Sequence, residues 1–428
     1  MLALFRHSAA FFVFMRILHS SDWHLGQHFI GKSRADEHKA LFGWLKQQIQ
    51  QHQVDALVVA GDIFDTATPA SYARELYHQF IVDLQPTGCQ LVLLGGNHDS
   101  VAVLQESKEL LACLHTQVVP GWLGAAESHL RVLKNKAGEP GAILAALPFL
   151  RSRDLLQSQS GQQASDKQQQ LQQAIADCYQ QCFAKAQALK TELGVELPLL
   201  ATGHLTTVGA SSSESVREIY IGSLEAFPAS AFPEFDYIAL GHIHQSQLVA
   251  GKAHIRYSGS PIPLSFDEAT QQKSMVLLDF SCAELAIELL PIPCFQPLLS
   301  LKCTLSELNT LLKPQLTQLK PEQKLWLELV LTGSDGYLSD LQSQVQQQLD
   351  GLPVELLKLR RARQGAVASL TAEQQESLHE MTPDLVLERR LAAEDLTDSE
   401  KAEFQLMLQQ VVAQLELPDQ QAEPVVLP

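Results

Sequence analysis

No stretch of the 428 residues reaches the roughly 18–20 consecutive apolar positions of a membrane-spanning helix, so no membrane span is expected. Cysteine is scarce, with seven residues scattered along the chain. The closest pair, Cys178 and Cys182, sits in a glutamine-rich helical pattern without zinc-type partners nearby. That excludes a disulfide scaffold and fits reduced thiols in a cytoplasmic protein. A glycine-rich lysine loop for nucleotide phosphates is also missing, so any ATP dependence has to come from a partner. Nor is an export signal expected. The first fourteen residues, MLALFRHSAAFFVF, are interrupted by Arg6 and His7, and no small-residue cleavage site precedes the first strand-like run. Met15 directly precedes that run and is the expected true start, which leaves residues 1–14 as an extension. Positive charge is in short supply, with a formal net charge of −17. The acids are unevenly placed. Thirteen of them, against three bases, follow Ala366, so the total says little about what the rest of the chain binds.

What the chain does have is five short apolar runs that each stop on metal-type ligands. RILHSS leads into Asp22-Trp23-His24, DALVVA into Gly61-Asp62, and QLVLLG into Gly96-Asn97-His98-Asp99. PLLAT leads into Gly203-His204, and YIAL into Gly241-His242-Ile243-His244. Each run reads as a buried strand. If the strands are neighbours, two carboxylates, an amide and at least four imidazoles meet at one edge, a donor set suited to a pair of divalent metals.

Residues 15–290 alternate strands with helical patterns such as SRADEHKALFGWLKQQIQQH, SYARELYHQFIVDL and VAVLQESKELLACL, which predicts an α/β architecture. The biased segment QSQSGQQASDKQQQLQQA is expected to start as a loop and continue as a solvated helix. PIPCFQP marks a boundary near Pro291–Pro297. A small α/β domain over residues 296–365 follows, in strand–helix–strand–helix–strand order. Residues 366–428 are expected to be helical, with capping boxes at Thr371/Gln374 and Thr397/Glu400 and a proline start at Thr382-Pro383. The last helix places Phe404, Met407, Leu408, Val411 and Leu415 on one face, to pack on the body or to dock onto another chain; docking is the expectation.

The chemistry follows from the donors. A turn can aim Asp22 and His24 at one ion. Asp62, alone after Gly61, is the natural bridge between two metals, because its backbone can come close and both oxygens are free. Asn97 offers a carbonyl oxygen, and His204, His242 and His244 offer ring nitrogens. Two metals about 3.5–4 Å apart can clamp a phosphate for in-line attack by water. No serine, threonine or cysteine nucleophile is then required. His98 follows a ligand but should point elsewhere. It could stabilise charge on the phosphorus or protonate the leaving oxygen, or it could be a structural, hydrogen-bonded ring. Asp99 is the candidate to orient it. His19, His28, His38, His52, His78, His115, His129, His254 and His379 lack such context and read as structural or surface residues.

The ordered set DWH, GDIFD, GGNHD, GH and GHIH resembles the calcineurin-like metallophosphoesterases. The longer strings SSDWHLGQ, AGDIFDTATPASYARELY, GGNHDSVA, ATGHLTTVGAS, YIALGHIH and RYSGSPIPLSFDE are similar to the bacterial DNA-nuclease branch of that family. The resemblance runs from Met15 to the tail and weakens in the glutamine-rich segment and the tail. It implies a two-sheet sandwich flanked by helices, then a capping domain, then a tail that grips the coiled-coil base of an ABC-type ATPase. It implies one metal on Asp22, His24, Asp62 and His244, another on Asp62, Asn97, His204 and His242, and His98 as the catalytic residue that holds neither. Manganese is the implied metal, with magnesium a poor substitute. The implied activity is 3′→5′ exonuclease on duplex DNA ends with endonuclease on hairpins and single strands, gated by ATP in the partner.

A small-molecule or phosphoprotein phosphoesterase on the same core is the second hypothesis, and a non-catalytic assembly protein the third. The cap and tail argue against the second; the full donor set argues against the third. The resemblance also implies a homodimer, within a two-plus-two assembly, through helices Ser71–Leu84 and Val101–Leu114. Tyr72, Leu76 and Phe80 form a stripe that either pairs with its twin or covers the protein's own sheet. Lys358, Arg360, Arg361 and Arg363 form the densest basic run, suited to phosphate contacts or to a solvated edge strand.

Overall fold

The structure, a computed structural model, describes residues 14–156, 164–211, 213, 215–216, 226–281, 284–333 and 338–362. The N-terminal extension up to residue 13, Arg363 and the tail with its expected capping boxes lie outside the described residues.

Two six-stranded mixed sheets form the body. The first runs in the order Ala286–Pro291, Ser274–Asp279, Arg16–Ser20, Ala56–Val59, Gln90–Leu94, Thr116–Val119. The second runs Gln247–Val249, Lys252–Tyr257, Tyr237–Gly241, Leu199–His204, Pro140–Ala145, Leu130–Lys134. The central strands of each sheet are parallel. Their apolar runs are continuous because both faces are covered. In Ala56–Val59, Ala56 and Val58 enter the layer between the sheets, with Ile17, Leu144 and Ala239. Leu57 and Val59 face the other way, into the layer under the helices Ala35–Gln51 and Ser71–Leu84. The second sheet repeats the plan. Ala239 faces inward, while Ile238 and Leu240 pack toward the 30-residue helix Ala164–Leu193. The result is helix, sheet, sheet, helix. Met15 is part of the inter-sheet core, 1% exposed.

Parallel pairing puts the strand ends level. Ser20 is opposite Val59, Val59 is opposite Leu93, and Gly241 is opposite His204. The residues that follow these strands therefore meet at one edge, where open α/β sheets place their ligands. His19 ties the two sheets there. Its Nε2–H donates to Leu240 O at 3.2 Å, and its Nδ1 accepts from the Tyr237 hydroxyl at 3.0 Å.

A third sheet, Leu298–Cys303, Leu325–Leu331, Val354–Arg361, is all parallel, with helices Leu308–Leu316 and Leu338–Leu349 in the crossovers. It meets the body through Phe29, Phe266, Leu298 and Trp326, with Phe29 stacked on Trp326 at 5.6 Å between centroids.

One expectation changes, and two readings left open gain contacts of their own. The pattern Val101–Leu114 is two helices, Val101–Glu106 and Lys108–Ala112, because Ser107 leaves the helical conformation at φ −107° and ψ 4°. The Tyr72/Leu76/Phe80 stripe covers the protein's own core and is not a free pairing surface. Phe80 packs 4.4 Å from Phe42 and 5.4 Å from Trp23, and Leu76 is only 9% exposed. The basic run does lie on an edge strand, but two of its members are engaged. Arg360 and Lys358 reach the buried Glu328 carboxylate at 2.6 and 3.2 Å. Burial works against the charge on Glu328, but Ser300, Lys358 and Arg360 outweigh it and hold the carboxyl below its usual range.

Candidate metal centre

The loops that carry the candidate ligands are backbone-strained. Asp22, His24, Asp62 and His242 all lie at positive φ, at 53°, 46°, 50° and 94°. Such conformations cost a non-glycine residue about 1–3 kcal/mol each and persist only where the surroundings impose them. Here the first two loops brace each other. Asp22 N donates to Gly61 O at 3.0 Å and His24 N to Asp62 O at 3.1 Å. The glycines beside the ligands leave room for close approach. A Cβ on Gly61 would lie 2.2 Å from His204 Nδ1, and one on Gly241 would lie 2.0 Å from Ala60 O.

The structure brings all seven candidate ligands together. Asp22, His24 and His244 form one set, and Asp62, His204 and His242 a second. His24, Asp62 and His98 form a third between them, with the donor atoms in each set within 4.8 Å of one another. Asp62 sits where the sets meet. Its Oδ2 lies 3.2 Å from His204 Nε2 and 3.5 Å from His24 Nε2. Asn97 joins through Oδ1, 2.8 Å from His204 Nε2. All but Asn97 are buried. Burial alone would raise the Asp62 carboxyl, but His204 and His24 outweigh it and hold it well below the usual range. Burial would lower His204, yet the Asp62 charge and hydrogen bond lift it to about 9. His242 is pushed far down by burial and by the neighbouring His204 charge. His24 Nε2 is buried without a hydrogen-bond partner. Paired carboxylates, an amide oxygen, imidazoles and one orphaned nitrogen fit divalent cations.

Comparison with known proteins agrees with this geometry. The calcineurin-like phosphoesterase family matches residues 15–246, and a type 5 capsule protein repressor C-terminal domain matches residues 294–395. The Escherichia coli (strain K12) protein SbcD, the D component of the nuclease SbcCD, is 49% identical over 91% of this chain and 96% of its own length. This chain belongs to the SbcD family of calcineurin-like phosphoesterases. The SbcD proteins of Rhodobacter capsulatus and Bacillus subtilis are 36% and 30% identical. Each match covers 62% of this chain, with 67% and 66% of those proteins.

Around the centre of this calcineurin-like fold stands a ring of supporting residues, of which sequence patterning did not single out Asp65 and Arg151. Asp65 serves two histidines. Its Oδ1 accepts from His24 Nδ1 at 3.1 Å, and its backbone carbonyl accepts from His98 Nδ1 at 2.7 Å. Asp65 closes the GDIFD string, so a signal for it was present. The expected bond from Asp99 to His98 is replaced by this carbonyl. The Asp99 carboxylate accepts instead from the backbone of Gly96, Ile63 and Phe64 at 2.8, 3.0 and 2.9 Å, locking the second and third loops together. Burial, then the Asp62 charge, lifts Asp99 to about 6. Arg151 holds the far end of the third loop, donating from Nη2 to Asp99 O at 2.9 Å. His98 N donates to Asp62 Oδ1 at 2.9 Å, so the catalytic candidate and the shared carboxylate are positioned by one contact.

Proposed function

We propose that the chain is a manganese-dependent DNA nuclease that works with an SbcC-type ABC ATPase. The observation that carries this is Asp62, one buried carboxylate common to two histidine sets, in a chain of the SbcD family. Asp22, His24, Asp62 and His244 would hold one divalent ion, and Asp62, Asn97, His204 and His242 the other. When bound, such a pair polarises a phosphodiester and makes water nucleophilic near neutral pH. The chain's own residues do the rest. His98 donates its Nδ1–H to Asp65 O, and Nε2 is the atom that would meet the scissile phosphate and hand a proton to the leaving oxygen. Asp65 and Asp99 keep the loops in register.

The division of labour proposed along the chain is nuclease domain 15–290, capping domain 296–365 over the DNA, and a helical tail 366–428 that binds the ATPase. The substrates are duplex ends, cut 3′→5′, and hairpins or single strands, cut internally. The roles that follow are DNA repair, replication and recombination in the cytoplasm, by a homodimer within a heterotetramer. Among the described residues no helix is long and apolar enough to cross a membrane. The test is direct. The purified chain is incubated with manganese and a hairpin oligonucleotide, beside a chromogenic phosphodiester, with Asp62→Asn as control. Manganese-dependent nicking that the control lacks is expected. Turnover of the small diester alone would make the chain a small-molecule phosphoesterase, and turnover of neither would make it a non-catalytic assembly protein.

A further inference from the structure

We infer that Glu268 and Lys273 form a buried two-point clamp on His244, a positioning device that sets which ring nitrogen His244 offers to the metal centre. The inference rests on the two-metal reading above. A histidine can ligate through one nitrogen only if the other is held, and a carboxylate partner both fixes the tautomer and raises the basicity of the ligating atom.

The contacts meet that requirement at both ends of the residue. On the ring, His244 Nδ1 lies 2.6 Å from Ser215 Oγ and 3.3 Å from Glu268 Oε1, and Ser215 Oγ in turn donates to Glu268 Oε1. Nε2 is thereby left for the set with Asp22 and His24. On the backbone, His244 O accepts from Lys273 Nζ at 2.9 Å and from Ser260 N at 3.1 Å. Lys273 Nζ also pairs with Glu268 Oε2 at 2.6 Å, which closes the loop of contacts.

Glu268 is fully buried, and Lys273 is 6% exposed. Removing two charges from water is unfavourable unless every lone pair and proton is satisfied. Here that condition holds. Glu268 also accepts from Leu264 N at 3.0 Å and Ser213 Oγ at 2.7 Å, and Lys273 also donates to Ser260 Oγ at 3.0 Å. A pair serving only to join the segments at Ser260 and Lys273 would not need to converge on both the ring and the carbonyl of one candidate ligand.

Manganese binding to the full-length chain decides the matter, measured by calorimetry and metal content for wild type, Glu268→Gln and His244→Ala. His244→Ala is the reference and should lose one of two binding events. Glu268→Gln should weaken that same event by about 10–100-fold and leave the other unchanged. If His244→Ala loses an event while Glu268→Gln keeps both at wild-type affinity and only melts earlier, the clamp is structural and the inference falls alone. If His244→Ala keeps both events, the metal reading falls and takes the inference with it. Should Glu268→Gln not fold, the wild-type chain answers by itself. With zinc bound, ¹⁵N spectra of the histidine rings should show a proton on His244 Nδ1. A His244 ring bare at Nδ1 would overturn the assignment.

Discussion

Gly96 and Asp62 are packed so closely that a methyl group on Gly96 would lie 2.1 Å from Asp62 Oδ1 and 2.3 Å from Asp62 N. No flexible side-chain end is available to give way, because one of the two atoms is backbone. The third strand's loop can approach the shared carboxylate only as glycine. Gly96→Ala should therefore displace the Asp62 loop, cost about 1–3 kcal/mol of stability and weaken manganese uptake. Thermal melting with and without manganese checks both effects. A variant whose melting curve and manganese shift match wild type would show that the loops can separate freely.

His98→Ala tests whether His98 is a ligand or the proposed catalytic residue. His98 belongs to a set with His24 and Asp62, yet its Nδ1 is engaged by Asp65 O. The expected outcome is two manganese ions retained and turnover reduced by roughly 100- to 10,000-fold. Metal analysis showing one ion lost would move His98 among the ligands.

Leu76→Asp should fail as a protein before it can report on a dimer. The side chain sits in the core under the first sheet, near Trp23, Phe42 and Phe80. A carboxylate there has no partner, so a loss of at least about 3 kcal/mol is expected in chemical denaturation. A Leu76→Asp chain that is stable but monomeric would restore the stripe as a contact between two copies.

Acid should destabilise the protein through His129, away from the candidate metal centre. Its Nδ1–H donates to Ala146 O at 3.0 Å, and its Nε2 accepts from Leu123 N at 3.0 Å, so a second ring proton would break the latter bond. Burial lowers its pKa from 6.5 to about 4. A folded pKa below the unfolded one means that the unfolded chain binds more protons between those values. The contribution is complete above about pH 6.5 and declines as pH falls toward 4. His129→Gln should shrink the drop in melting temperature between pH 7.5 and pH 5. An unchanged drop would place the acid sensitivity elsewhere.

The α/β architecture was legible because every central strand is apolar on both faces, while the division into two sheets came only from the family resemblance. An unbroken run such as DALVVA is too short to cross a membrane and suits a strand covered on both faces. The candidate ligands were legible because each stands within a few residues of a strand end, and parallel pairing turns that local position into a shared edge. Gly61 was legible for the same reason, since a glycine next to a lone carboxylate announces a close approach.

Where the reading went astray, as for Asp99, or stayed open, as for the basic run and the stripe, the deciding partner was distant in sequence. Asp99 adjoins His98, but its side chain is claimed by backbone amides of the second loop. Lys358 and Arg360 look like a basic patch until Glu328 on the neighbouring strand is placed beside them. Leu76 and Phe80 form a stripe whose sequence says that something covers it, and only the fold shows that the cover is Trp23 and Phe42.

The sequence by itself determined which residues can ligate, which strands are buried and the order in which they come, because donor type, apolar periodicity and glycine placement are local properties. Only the tertiary structure decided which ring nitrogens of His24, His204 and His244 are engaged, which carboxylates lie beside His24 and His244, and which basic residues are paired. Those depend on hydrogen bonds between segments far apart in the chain. Glu268 beneath His244 and Asp65 beside His24 are set by how the loops stack at the edge of two sheets, and no local pattern encodes that stacking.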